Sequence, residues 1–157
     1  MIHNDVLRSV RYMLNLRDAK LLEILKLAGT EIPLEEFQKY LKTEEEAGFV
    51  ACPDEVMAHF LDGLIYFRRG KDPLRPALPI ELPVTNNSVL KKLRVAFELK
   101  EADIGNILSQ AGFAVSAPEL SAFFRRKDHP NYRECGDQYL RNFLKGLSQS
   151  QHIRPRH

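Results

Sequence analysis

The sequence predicts an all-α fold: two tandem copies of a four-helix unit, packed about a pseudo-two-fold axis and joined by a Pro-rich extended linker. Three observations predict it. Sliding the chain against itself by 83 residues aligns Asn4–Leu64 with Asn87–Leu147 without a gap, and 17 of the 61 aligned positions are identical. Apolar residues recur at helical spacing in both copies, whereas alternation of the kind a strand needs never lasts beyond a few residues. Between the copies stand Pro73, Pro76, Pro79 and Pro83, which exclude a continuous helix and favour a semi-stiff, extended segment.

The elements follow in order, two by two. The first helix of each copy opens at an Asn suited to N-cap duty, Asn4 or Asn87. Its apolar stripe is Val6, Leu7, Val10 and Leu14, answered by Val89, Leu90, Leu93 and Phe97. The second helix starts after the acidic Asp18 or Glu101 and ends at Ala-Gly, where Gly29 and Gly112 can take a left-handed conformation. Pro33 marks the start of the third helix in copy one; Ser116 with Glu119 forms a capping box in copy two. The fourth helix follows Cys-Pro-Asp-Glu or Cys-Gly-Asp-Gln, with Val56, Phe60, Leu61 and Leu64 matching Tyr139, Phe143, Leu144 and Leu147. The expected organisation is repeat 1 over 1–69, linker over 70–86, repeat 2 over 87–150 and a flexible tail over 151–157. A single repeat of this size buries a small share of its surface, so the two copies are expected to support one another.

Of 157 residues, 44% are hydrophobic and 28% charged, the balance of a globular protein. No apolar run approaches the ~20 residues of a membrane helix, and the N-terminus lacks the apolar core of a signal peptide, so a cytoplasmic protein is expected. The net charge of +2 is small but unevenly placed. Residues 1–82 hold 11 Lys/Arg against 14 Asp/Glu, and residues 83–157 hold 12 against 7. A basic second half could face nucleic acid or an acidic partner.

The segments GFVACPDEVMAHFLDGLIYFRRGKD and NYRECGDQYLRNFLKGL, with the opening NNSVLKKLRVAFELK of copy two, resemble the YehS family of bacterial proteins. The resemblance runs from Asn4 to about His152. It implies a duplicated helical domain, a bacterial source and cytoplasmic residence, and it transfers no catalytic residue.

Candidate site residues fall into two sets. Arg11 and Arg94, beside the stripe of the first helix, and Asp54 and Asp137, at the start of the fourth, are repeated in both copies. They are expected to form an ion pair in each copy, joining first helix to fourth, or a twice-present anion site. The second set is basic: Arg125, Arg126 and Lys127 after the third helix of copy two, with Lys91 and Lys92 on its first helix. Helix, turn and helix precede them, loosely as in a DNA-reading pair. Against that reading, the turn from Gly112 to Ser116 is long, and APELSAFF offers no Arg, Asn or Gln for base edges.

Cys52 and Cys135, just before the fourth helices, read as small apolar fillers or as thiols activated by a helix N-terminus. No His recurs beside them to act as base. The five histidines show no ligand spacing and no phosphate loop or nucleophile elbow is present, so no metal, cofactor or catalytic residue is expected. Aromatics at Tyr12, Phe37, Tyr40, Phe123, Phe124 and Tyr139 pack the cores or line a seam for self-association or a partner helix. The loops GFVACPDE and NYRECGDQ, equal in length, are the expected binding surface. The sequence thus points to a non-enzymatic binding or protein-interaction module with an unknown protein partner or self-association; the alternative is a nucleic-acid-binding protein using the basic face of repeat 2. Neither reading involves a membrane.

Overall fold

The computed structural model describes residues 1–153 and is all-helical over them. The first four helices are α1 (His3–Leu14), α2 (Asp18–Leu27), α3 (Leu34–Lys39) and α4 (Asp54–Arg69). The second four are α5 (Asn86–Ala96), α6 (Glu101–Gln110), α7 (Ala117–Phe123) and α8 (Asp137–Ile153). Every helix of the second set starts 83 residues after its counterpart, so the duplication governs the fold element by element. The chain divides into two compact units, Met1–Val84 and the remainder from Thr85. The expected linker of 70–86 therefore goes with the first unit as far as Val84, while Thr85 caps and Asn86 begins α5 of the second.

Within unit 1, α2 packs along α4 and against α3; within unit 2, α6 packs along α8 and against α7, and α5 meets α8. The core of unit 1 is Val6, Leu7, Val10 and Met13 from α1, Leu21, Ile24 and Leu25 from α2, Phe37 from α3, and Met57, Phe60, Leu61 and Leu64 from α4. Unit 2 repeats it with Val89, Leu90, Leu93, Ile104, Ile107, Leu108, Leu120, Phe123, Leu140, Phe143, Leu144 and Leu147. Fully burying one such side chain contributes roughly 1.5–3 kcal/mol. The stripes are those expected, turned by one position: Met13 lies deeper than Leu14, and Met57 and Leu140 deeper than Val56 and Tyr139.

A close helix contact in each unit crosses a glycine. A Cβ on Gly63 would stand 2.1 Å from the Ile24 carbonyl oxygen, and one on Gly146 would stand 2.7 Å from that of Ile107. Only glycine lets α2 and α4, or α6 and α8, approach so closely. Gly29 (φ 88°) and Gly112 (φ 79°) take the left-handed conformation expected of them after Ala28 and Ala111. A second left-handed position is also repeated: Asn15 (φ 52°) and Glu98 (φ 54°) end α1 and α5. There the N–H of Leu16 returns to the Arg11 carbonyl, and that of Leu99 to the Arg94 carbonyl.

Two expectations about boundaries are corrected. Asn4 and Asn87 are not N-caps. The caps are Ile2 and Thr85, one residue before the helices begin. The Asp5 carboxylate accepts the Ile2 N–H at 3.0 Å, while the Thr85 hydroxyl accepts the Ser88 N–H at 3.2 Å and Ser88 Oγ accepts that of Thr85 at 3.2 Å. At the other end, α8 continues through Ile153 where a tail was expected from 151, and the rest of that tail, 154–157, lies outside the described residues. Ser116 caps α7, accepting the Glu119 N–H at 3.3 Å, but the expected box is only half formed, because the Glu119 carboxylate turns to Arg133 and Tyr139.

Candidate functional site

The repeated Asn of the first helix holds the loop that enters the fourth. Asn4 Oδ1 accepts the Cys52 N–H at 2.8 Å and its Nδ2 donates to the Val50 carbonyl at 2.9 Å. Asn87 Oδ1 accepts the Cys135 N–H at 2.9 Å, and its Nδ2 lies 2.9 Å from the Arg133 carbonyl and 3.0 Å from that of Phe123. Asn4 is fully buried, and its amide satisfies the buried Cys52 N–H and the part-buried Val50 carbonyl. This clasp gives the equal loop lengths an internal reason.

The expected pairing of Arg11 with Asp54 and of Arg94 with Asp137 is not what the structure holds. Arg11 donates to Asp18 at the start of α2, 3.1 Å away. Arg94 Nη1 stands 3.6 Å from Glu101, Nε donates to the Leu99 carbonyl at 3.2 Å, and the guanidinium lies over Phe124, 4.6 Å from the ring centroid. The reason is reach. The left-handed turn at Asn15 or Glu98 brings the first residue of the second helix back beside the end of the first. Asp54 instead accepts from His3 Nε2 at 2.6 Å and from the Val84 N–H at 3.2 Å. In unit 2 the aligned Asn86 takes the place of His3, donating to Asp137 at 2.8 Å. His3 went unnoticed because His and Asn were not read as one position.

Both cysteines are buried. Burial pushes each thiol up to about 12, helped by the carboxylates of Asp54 and Asp137. These are apolar fillers, not nucleophiles. Among the described residues no group of three or more His, Cys, Asp or Glu side chains is placed to hold a metal ion. The expected aromatic surplus is mostly core: Phe37, Tyr40 and Phe123 are buried, Phe124 and Tyr139 half-buried, and only Tyr12 lies largely in the open, at 68%.

The basic set is only partly brought together. Arg125, Arg126 and Lys127 are exposed in the segment after α7. Arg125 lies where two neighbouring hollows meet. One is lined by Ala117, Glu119, Asn131, Tyr132 and Arg133 among others, the second by Glu101, Phe124, Arg126 and His129, with Ser121 shared. Lys91 and Lys92, on α5, and Lys127 are not among the lining residues. The acids that line these hollows are engaged internally. Glu119 accepts from Arg133 at 2.8 Å and from the Tyr139 hydroxyl at 3.1 Å, while Glu101 accepts from the Ser121 hydroxyl at 2.8 Å and faces Arg94. Arg126 has Asp128 at 3.7 Å, in an exposed contact. The Arg125 guanidinium makes neither ion pair nor hydrogen bond among the described residues. The surface around α7 is thus a concave patch of mixed apolar and polar lining, with Arg125, Arg126 and Arg133 against Glu101 and Glu119.

The profile of the family described as "Protein of unknown function (DUF1456)" matches this chain twice, over residues 3–70 and 86–152. The chain belongs to this family. The two DUF1456 segments coincide with the two helical repeats, as the resemblance to the YehS family implies. A curated relative, "Uncharacterized protein YehS" of Escherichia coli (strain K12), is 51% identical over 154 residues, covering 98% of this chain and 99% of its own. No solved structure matches. As to a membrane, no helix among the described residues is long and apolar enough to cross one.

Proposed function

We propose that this DUF1456 protein is a non-enzymatic cytoplasmic binding module that engages an acidic protein partner through the α7 face of its second repeat. One observation carries the reading: Arg125, exposed and unengaged, sits where two hollows meet whose own acids are already paired. A basic, concave surface attracts and orients an acidic partner before contact. The first repeat differs in charge at the same place, with Lys42-Thr43-Glu44-Glu45-Glu46 aligned to Arg125-Arg126-Lys127-Asp128-His129, so binding falls to the second. The test is capture from native lysate on the immobilised full chain, with and without nuclease, against Ala117→Trp, which fills the first hollow. The expected result is a nuclease-resistant protein partner that the variant loses.

A nucleic-acid ligand is the second reading, favoured by the α6–turn–α7 order beside Arg125 and Arg126. It is the weaker one. The exposed start of α7 is Ala117 and Pro118, its inner face is Leu120, Ala122 and Phe123, and none reads a base edge. Lys91 and Lys92 also stand outside the lining. Capture that vanishes with nuclease, and DNA or RNA binding that falls steeply with salt, would reverse the order.

A further inference from the structure

The first repeat contains, within itself, the contact that the second repeat leaves open. In the turn after α3, Glu46 Oε1 accepts from the Thr43 backbone N–H and from the Thr43 hydroxyl, both at 3.1 Å. Lys42, just before, donates to the Ala47 carbonyl at 2.6 Å, and Arg8 on α1 donates to the Lys42 carbonyl at 2.7 Å. The Thr43 bonds hold the Glu46 carboxyl below its usual range, and the charges of Lys42 and Arg8 act in the same direction. The turn of unit 1 is therefore closed by a carboxylate of its own.

The turn after α7 has the same backbone. The His129 N–H returns to the Arg126 carbonyl at 2.9 Å, as the Glu46 N–H returns to the Thr43 carbonyl at 3.1 Å. At the 83-residue offset Arg125 replaces Lys42, Arg126 replaces Thr43, Lys91 replaces Arg8 and His129 replaces Glu46. The cations are kept or strengthened and the acid at the Glu46 position is gone. Asp128, aligned with Glu45, stands 3.7 Å from Arg126 in an exposed contact and pairs with no other cation of the turn. His129 Nδ1 accepts the Asn131 N–H at 2.9 Å, which leaves the ring's proton on Nε2 as a further donor. Arg125 is unengaged, and both carboxylates lining the hollows are committed elsewhere.

We infer that the Arg125–His129 turn is a seat for a carboxylate side chain of an acidic protein segment, which takes the place that Glu46 fills in the first repeat. The inference rests on the protein-binding reading above and names what that surface recognises. The occupant is a carboxylate because the internal counterpart is one, and a guanidinium fork pairs with it in two hydrogen bonds. Repeat 1 is self-closed and repeat 2 is open, so duplication has turned an internal contact into an external one.

The test is an NMR titration of the full chain with an end-capped hexaglutamate peptide, beside its hexaglutamine analogue, inorganic phosphate and a single-stranded DNA oligonucleotide. Hexaglutamate is expected to bind at the Arg125–His129 signals and hexaglutamine not at all. Arg125→Ala should weaken binding roughly tenfold, while Lys145→Ala, an exposed cation on α8, should leave it within about twofold. His129→Glu should abolish binding by supplying the acid internally. The converse change, Glu46→Gln, should create a second, weaker site in unit 1. Hexaglutamate binding unaffected by His129→Glu overturns the inference, as does tighter binding of phosphate or DNA than of hexaglutamate. A lysate partner kept by His129→Glu but lost by Ala117→Trp overturns the seat while the protein-binding reading stands; a partner kept by both overturns the two together.

Discussion

The side-chain oxygen of Asn4 accepts the backbone N–H of Cys52 across 48 residues of chain, at 2.8 Å. Its amide closes the same loop on the Val50 carbonyl, and Asn87 does both jobs for Cys135 and Arg133. Each Asn fixes the approach to the longest helix of its unit. Replacing Asn4 by Ala leaves a buried donor and acceptor without partners, at a cost of roughly 1–3 kcal/mol each. Denaturant unfolding of Asn4→Ala should therefore show a loss of about 2–4 kcal/mol, and Asn4→Asp should not recover it, because it returns only the acceptor. A loss under about 0.5 kcal/mol for both variants would mean the clasp is dispensable.

The two helix crossings give a prediction with its own control. Gly63→Ala drives a methyl to 2.1 Å from the Ile24 carbonyl oxygen, a backbone atom that cannot step aside. Gly146→Ala meets the Ile107 carbonyl and Cγ2 at 2.7 Å. Overpacking of this kind costs about 1–3 kcal/mol or more, with Gly63 the worse. Gly105→Ala in α6 meets only the end of Leu120, at 3.7 Å, and should stabilise by roughly 0.5–1 kcal/mol through helix propensity. Thermal melts of the three variants check the ordering.

How much of this was written in the sequence depends on the range of the interaction. The 83-residue offset pairs the eight helices, and local chemistry marks several of their ends: Ser116 on Glu119, the acidic Asp18 and Glu101, a glycine after the second helix. The first helix of each unit instead begins one residue before the Asn expected to cap it. The clasp was misread because an Asn near a helix start looks like a cap, and only the fold brings Cys52 to it. The ion pairs were misassigned for a different reason. Asp18 and Glu101 are acidic but not identical, so identity between the copies singles out Asp54 and Asp137 instead. Counting conserved charge between the repeats would have found Arg11–Asp18 and Arg94–Glu101. The basic cluster was visible as composition. That Arg125 lies unengaged between two hollows depends on where Arg133, Ser121 and Tyr139 send their donors, which no local pattern reveals.

The buried thiols bear on stability at high pH. An ordinary thiol titrates near about 8.5, whereas burial pushes Cys52 and Cys135 up to about 12 in the fold. A raised folded value means full stability below pH about 8.5, lost as pH rises through about 12, since the unfolded chain ionises first. The slope is about 1.4 kcal/mol per pH unit per thiol. Stability measured from pH 8 to pH 11 should fall less steeply in Cys52→Ala and Cys135→Ala than in the wild type, after allowing for the smaller starting value. Native-state labelling by a thiol reagent at pH 8 should likewise be slow, and become rapid only on unfolding.

Asp54 responds at the acid end, with the opposite sign. The His3 hydrogen bond is the largest cause holding its carboxyl below the usual range; burial opposes it, and the Val84 N–H adds to the lowering. A lowered folded value gives stability that is present above the unfolded value near about 4 and lost as pH falls below it. The side chain is 42% exposed, so screening keeps the contribution under about 1 kcal/mol. Asp54→Asn should lose that amount at pH 6 and converge with the wild type as pH falls through the lowered folded value. His3→Asn supplies a sharper comparison, since the second repeat already uses Asn86 to hold Asp137. If geometry is what matters, His3→Asn keeps most of the stability of unit 1 at pH 6; if the charge of His3 is what matters, the variant matches Asp54→Asn. The aligned pair in unit 2 favours the first outcome, because Asn86 does the same work with no charge to lose.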